Sequence, residues 1–165
     1  MNLERIVRHL FLTRWHVNRA FPVPVLRAIE KAVRDSHRAH MGQIRFAVEG
    51  TLHIAALWEG MSARERAIDV FSQLRVWDTE HNNGILIYLL LADHDVEIVA
   101  DRGVHARVKP GEWEAICQRM EAEFRRGNYE AGVLSGVAQV TELLKKHFPA
   151  ETGTFEELPS KPAIL

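Results

Sequence analysis

The chain has little cysteine and almost no net charge. Cys117 is the only cysteine among 165 residues, so no internal disulfide can form, which is typical of proteins from a reducing compartment. The 21 Lys and Arg residues are balanced by 22 Asp and Glu residues. Because no excess of positive charge is present to hold a phosphate backbone, we expect no nucleic-acid partner.

Long apolar runs are also missing. No segment stays apolar for the roughly 20 residues needed to cross a bilayer, so we expect no membrane-spanning helix. Near the N-terminus the apolar residues are interrupted by four basic ones, Arg5, Arg8, His9 and Arg14. This pattern differs from that of a secretory signal peptide. We therefore expect a cytoplasmic protein, either free or at the inner face of the membrane.

Common signatures of nucleotide-binding and hydrolytic enzymes are absent as well. The sequence contains no Gly-x-Ser-x-Gly turn, no phosphate-binding P-loop and no Gly-x-Gly-x-x-Gly loop. It therefore identifies no nucleophile with a matching base, and it does not establish a reaction.

What the sequence has is the composition of one globular domain, with 47% hydrophobic and 26% charged residues. A chain of this length buries roughly two thirds of the surface exposed when unfolded, so neither a metal nor a disulfide is needed to form a core. We divide it into a basic amphipathic N-terminal helix at residues 1–21, an α/β domain at 22–149 and an extended C-terminal tail at 150–165.

The N-terminal segment has apolar residues at helical spacing with basic residues between them: Leu3, Ile6, Val7, Leu10 and Phe11. Two interpretations of this amphipathic helix stay open. It can lie on an anionic membrane with its apolar side inserted, or it can pack on the sheet or on a partner protein. We favour packing, because the segment is short and Trp15 and Val17 continue its apolar content.

Three segments read as strands. Residues 85–91 are apolar on both faces, which predicts a central strand covered on both sides. The polar break Asp93-His94-Asp95 leads into residues 96–100, which predicts an antiparallel hairpin. Residues 44–48 predict another strand, which we expect to continue with a distortion through residues 53–58.

Helices are predicted around these strands. Ser62 and Glu65 have the spacing of a capping box and predict a helix that reaches about Leu74. Apolar periodicity predicts two more helices, one between Gly111 and Gly127 and one at residues 129–147. Helices before, between and after strands predict an α/β fold, a three-layer α/β/α sandwich with a small mixed central sheet.

Two segments resemble the TPM domain family, within a similarity that extends over residues 42–140. The first is residues 77–93, where Trp-Asp-Thr-Glu-His-Asn-Asn-Gly leads into an apolar strand that ends in Asp93. The second is residues 127–137, a short turn and helix entry with two glycines, Gly132 and Gly136. One departure is His105, which stands where members of the family carry an acid. A signal sequence and membrane anchor, which many members carry, are not seen.

The resemblance implies an α/β/α sandwich, a divalent cation in an acidic groove, phosphatase activity and assistance to membrane protein complexes. Ca²⁺ and Mg²⁺ prefer oxygen ligands, so we predict a site for one of them. Its predicted ligands are Asp78, Glu80, Asn83, Asp93 and Asp101. Asp78 and Glu80 precede the central strand whereas Asp93 follows it, so one site requires the loop to fold back. The alternative is that these residues cap helices and shape turns.

The leading functional hypothesis is a binding module that works with membrane-associated protein partners and binds a divalent cation. The alternative is a metal-dependent phosphatase acting on phosphomonoesters, in which Asp93 attacks phosphorus and Asp95 protonates the leaving group. Two features weigh against this alternative: a strand returns directly after Asp95, and no threonine follows it as in aspartyl-phosphate phosphatases.

Overall fold

A computed structural model describes residues 3–12, 14–151 and 156–165, and within them the chain forms one sheet in the order β3-β2-β1-β4. The strands are β1 Gln43–Glu49, β2 Gly84–Leu90, β3 Asp95–Ala100 and β4 Ala163–Ile164. β1 runs parallel to both β2 and β4, whereas β3 pairs with β2 in the antiparallel direction. The predicted hairpin is confirmed by this last pairing.

Helices cover both faces of the sheet. Within the described ranges they are α1 Leu3–Phe11, α2 Arg14–Ala20, α3 Val23–His37, α4 Ile54–Trp58, α5 Ala63–Gln73, α6 Arg102–His105, α7 Pro110–Arg125 and α8 Tyr129–His147. The helices α3, α7 and α8 share one core with the odd-numbered residues of β2, and α4 and α5 share a second core with the even-numbered residues. None of the described helices is both long and apolar enough to cross a membrane.

β2 is the centre of the molecule because its side chains are apolar on both faces. Successive residues of a strand point to opposite sides, so Ile87 packs towards the α3, α7 and α8 layer while Leu86 packs towards α5. All residues of β2 are buried. The predicted three-layer α/β/α sandwich with a small mixed sheet is therefore confirmed.

The segment that follows β1 differs from our prediction. The strand at residues 44–48 is confirmed, but its continuation through residues 53–58 is wrong, because β1 ends at Glu49 and residues 54–58 form α4. Alanine and leucine favour a helix in this segment, and the helix buries Leu57 against the α5 layer. The predicted start of the next helix is confirmed, since Ser62 and Glu65 form a reciprocal capping box.

The end of the chain lies along the outer edge of β1. Part of the predicted tail, residues 152–155, lies outside the described residues. Further on, Arg45 donates to the carbonyl oxygen of Pro159 at 2.6 Å, and the backbone N–H of Leu165 donates to the carbonyl oxygen of Val48 at 3.0 Å. This segment therefore covers one edge of the sheet, whereas β3 forms the opposite edge.

Candidate functional site

The predicted cation ligands lie at two opposite ends of β2. Asp78, Glu80 and Asn83 come just before the strand, and Asp101 joins them because its backbone N–H donates to the carbonyl oxygen of Gly84 at 2.8 Å. Asp93 follows the other end. A strand of this length spans about 20 Å, so the structure does not bring Asp93 together with the other four residues. That these residues bind a cation stays a prediction.

Two oxygens at the start of β2 are buried without a hydrogen bond. Asn83 is fully buried and donates through Nδ2 to the carbonyl oxygen of Met41 at 2.7 Å, but its Oδ1 has no partner among the described residues. Asp101 accepts a hydrogen bond from the backbone N–H of Arg102 through Oδ1, while its buried Oδ2 likewise has no described partner. Buried oxygens are nearly always satisfied, so this pair requires an explanation.

Asp78 and Glu80 are exposed in the turn that leads into β2. The backbone N–H of Asp78 donates to the carbonyl oxygen of Arg75 at 3.0 Å, and that of Glu80 donates to the carboxylate of Glu157 at 2.8 Å. The backbone bonds of both residues therefore belong to the turn and to the C-terminal segment. Within the ranges that the structure describes, no group of three or more His, Cys, Asp or Glu side chains is arranged to hold a metal ion.

Three glycines of the two family-like segments are positions of close packing. A Cβ added at Gly84 would overlap the carbonyl oxygen of Val76 and lie 2.9 Å from its carbonyl carbon. A Cβ at Gly132 would lie 2.5 Å from the ring of Phe124, and one at Gly136 would lie 2.8 Å from Cε of Met120. The first glycine lets the preceding turn pack against β2, and the other two let α8 approach α7.

At the far end of β2, Asp93 holds α1 against the domain. Arg5 donates through Nε to Oδ2 at 2.8 Å, and Nε2 of His9 lies 3.2 Å from the same oxygen. Nδ1 of His9 accepts the backbone N–H of Leu52 at 3.0 Å, so Nε2 carries the ring hydrogen and lies beside the carboxylate without the alignment of a hydrogen bond. Burial raises the pKa of Asp93, but the nearby His9 and Arg5 outweigh it, and the pKa lies below its ordinary value.

This anchoring turns the apolar side of α1 towards solvent. Four side chains, which we call the apolar face of α1, are between 43% and 76% exposed: Leu3, Val7, Leu10 and Phe11. Trp15 of α2 is also exposed, while Ile6 packs towards the α5 core. The sequence predicts the amphipathic helix but not its orientation. The sequence does contain one signal for the docked side of α1. Arg5 and His9 are four residues apart, so both donors lie on the same side of the helix and can contact one acidic partner.

A polar cavity of about 350 Å³ lies between α1 and the start of α5. It is lined by Arg5, Arg8, Ser62, Asp93 and Asp95, among others. Burial, reinforced by Glu97 and Glu121, raises the pKa of Asp95 to about 6. The pKa values of the two aspartates are thus shifted in opposite directions, which is typical of acid and base pairs. However, Asp93 already accepts a hydrogen bond from Arg5 and is in contact with His9, so an attack on phosphorus would require both side chains to move.

Comparison with known proteins is consistent with this architecture. The family model described as TPM domain matches residues 25–143. The NMR structure of the BA42 protein from the psychrophilic bacterium Bizionia argentinensis matches with a TM-score of 0.75 and 28% identity, covering 94% of this chain and 96% of that chain. The N-terminal domain of a protein from P. gingivalis matches in fold with a TM-score of 0.58 and 22% identity, covering 73% and 76%. No curated protein matches the chain.

Proposed function

Because this chain belongs to the TPM domain family, we propose that it is a binding module for membrane-associated protein partners. The observation that supports this proposal is the orientation of α1, whose polar side is bound to the domain and whose apolar face is exposed. Contiguous apolar surface of this kind marks interaction sites in soluble domains. The apolar face of α1 is therefore the proposed contact.

The anchoring of α1 makes its apolar face a fixed feature of the surface. The Arg5 and His9 contacts with Asp93 are partly or fully buried, with 21% and 1% of the two basic side chains exposed. Rolling the helix to hide its apolar face would leave Asp93 buried without these donors. Breaking a buried ion pair in this way costs about 3–5 kcal/mol, and this cost opposes the rotation.

The spacing and charge of α1 favour a protein partner over a lipid surface. Leu3, Val7 and Leu10 stand at the positions by which amphipathic helices insert into apolar grooves of other proteins. A helix that lies on anionic lipid instead directs its basic residues towards the head groups. Arg5 points inward to Asp93, so α1 offers less positive charge to lipid than its composition implies.

Replacing Val7 and Leu10 with Ser should reduce sedimentation of the protein with membranes of the producing organism. We expect the bound fraction to fall about tenfold or more, because two groove anchors are lost. Membranes treated with protease and vesicles made from the extracted lipids should bind little of the wild-type protein.

The matched control is replacement of Ile54 and Ile68 with Ser, since both are exposed apolar residues outside α1. This variant should bind membranes as the wild type does. If the wild type bound protein-free vesicles as well as native membranes, the partner of α1 would be a lipid surface and not a protein. Unchanged binding of the Val7 and Leu10 variant would refute the contact.

A second proposal is that a divalent cation, Ca²⁺ or Mg²⁺, binds at the start of β2. The supporting observation is that Asn83 Oδ1 and Asp101 Oδ2 are buried oxygens without a described hydrogen-bond partner. Hard cations take such ligands, and we propose that Asp78, Glu80 and water complete the shell. Asp93 has no part in this site, because it lies at the other end of β2 and is bound by Arg5.

Ca²⁺ titration should raise the melting temperature of the wild type, since a ligand of the folded state stabilises it by mass action. The rise should largely disappear in Asp101→Asn, which retains a good helix cap for α6. Asp93→Asn should start from a lower melting temperature and still show the full rise. Equal rises in the wild type and Asp101→Asn, or no rise at millimolar cation, would exclude this site.

The phosphatase alternative has weaker support in the geometry. It requires Asp93 to attack phosphorus, although this carboxylate already accepts a hydrogen bond from Arg5. The Asp93→Asn protein separates the two functions. A phosphatase would hydrolyse p-nitrophenyl phosphate with Mg²⁺ and lose that activity in Asp93→Asn, whereas a binding module has no such turnover to lose.

A further inference from the structure

The outer edge of β3 has backbone groups that no other described strand bonds. The sheet order ends at β3 in the described part of the chain. The N–H of Asp101 donates to the carbonyl oxygen of Gly84, so every second residue of β3 counted back from Asp101 bonds to β2. Val96, Ile98 and Ala100 consequently direct their N–H and C=O groups away from β2.

Side chains from the neighbouring helices cover this edge only in part. The N–H of Val96 donates to the Glu121 carboxylate at 3.3 Å, and Arg64 donates to the carbonyl oxygen of Ile98 at 2.7 Å. The Arg64 side chain is 50% exposed, so it can be exchanged for another donor at little cost. The edge is therefore capped by movable groups, as exposed edges often are.

A groove of about 550 Å³ follows the same edge between α5 and α7. Its wall includes Trp113, which is 6% exposed and whose indole N–H has no acceptor among the described residues. A buried indole N–H normally has a partner. The groove thus combines edge groups that no described strand bonds with an indole donor that a carbonyl oxygen of a bound chain would satisfy.

The groove is acidic on both of its walls. Asp95 and Glu97 lie on the α5 side of β3, because Val96 and Ile98 point to the opposite face. Its other two acids, Glu114 and Glu121, come from α7. Burial and the nearby Glu97 and Glu121 raise the pKa of Asp95 to about 6, which means that the acids repel one another. Glu97 and Glu121 pair with the exposed side chains of Arg64 and Arg125, at 3.2 and 3.1 Å, so a cationic ligand would relieve the remaining repulsion and exchange with these two arginines.

We propose that this groove binds an extended peptide segment carrying lysine or arginine, which adds as a further strand to the outer edge of β3. Backbone bonds to Val96, Ile98 and Ala100 hold the segment, and its basic side chains pair with the acids on the two walls. This function is separate from that proposed for the apolar face of α1, because it uses a different surface of the domain.

The charge requirement is tested with fluorescein-labelled hexalysine and hexaglutamate, because successive side chains of a strand point to opposite walls. We expect the lysine peptide to bind at low salt, and the glutamate peptide to bind at least about tenfold more weakly. The double variant Glu97→Gln, Glu121→Gln should weaken binding of the lysine peptide by about tenfold. The control variant Glu130→Gln, Glu142→Gln removes the same charge from exposed positions of α8 and should bind like the wild type.

The strand requirement is tested by N-methylation of the lysine peptide at alternate residues. An added strand bonds to its neighbour through every second residue, so one methylation pattern should abolish binding and the other should leave it nearly unchanged. Equal affinity of the two methylated peptides would mean electrostatic attraction without strand addition. The proposal would also be overturned if the lysine peptide did not bind. It would likewise be overturned if the groove variant and the control variant bound this peptide with equal affinity.

Discussion

Gly84→Ala is expected to lower the free energy of unfolding by about 3 kcal/mol or more, or to prevent folding. The added Cβ would overlap the carbonyl oxygen of Val76, and a backbone atom cannot rotate aside as a side chain can. Neither partner can shift easily, because Val76 is fully buried and β2 is enclosed on both faces. Urea denaturation followed by circular dichroism measures the change.

Gly111→Ala is the matched control. Nothing lies within 4 Å of a Cβ built at Gly111, and the residue stands in the first turn of α7. Because alanine favours helix over glycine, this variant should be as stable as the wild type or more stable by up to about 1 kcal/mol. A Gly84→Ala protein of wild-type stability would show that the turn at Val76 leaves room for a methyl group at the start of β2.

The layered fold was predictable because its signals are local. The apolar run of β2 identifies a strand covered on both faces, and the Ser62 and Glu65 pair identifies the start of α5. Strand β4 was not predictable from such signals. It consists of Ala163–Ile164, a segment with no periodicity, and it is a strand because it bonds to β1 more than a hundred positions earlier.

The candidate site was predictable in its residue types but not in its arrangement. Local sequence identifies Asp93 as a polar residue after a buried strand, yet its partner Arg5 is 88 positions away. His9 and Arg5 together lower the pKa of Asp93, and their contacts with it fix the orientation of α1. An amphipathic pattern tells which residues share a side of a helix, but only the tertiary contacts decide which side is docked.

Glu49→Ala should be the other severely destabilising substitution. Glu49 is 5% exposed, and it accepts two hydrogen bonds from Arg66, at 2.8 and 2.9 Å, and one from the hydroxyl of Tyr88 at 2.6 Å. Alanine would leave a guanidinium and a buried hydroxyl without their acceptor. Removing one partner of such a pair costs about 3–5 kcal/mol. Chemical denaturation at neutral pH measures this loss.

Two comparisons test whether the loss comes from the network. Glu97→Ala breaks the exposed pair with Arg64 and should cost no more than about 1 kcal/mol. Glu49→Leu combined with Arg66→Met and Tyr88→Phe removes every member of the network and should be far more stable than Glu49→Ala, because no unpaired buried charge remains. If the triple variant is as unstable as the single one, the cost lies in packing at the end of β1 rather than in the ion pair. Because the backbone of Glu49 also accepts the N–H of Leu91 at 2.9 Å, such packing would position the turn that carries Asp93.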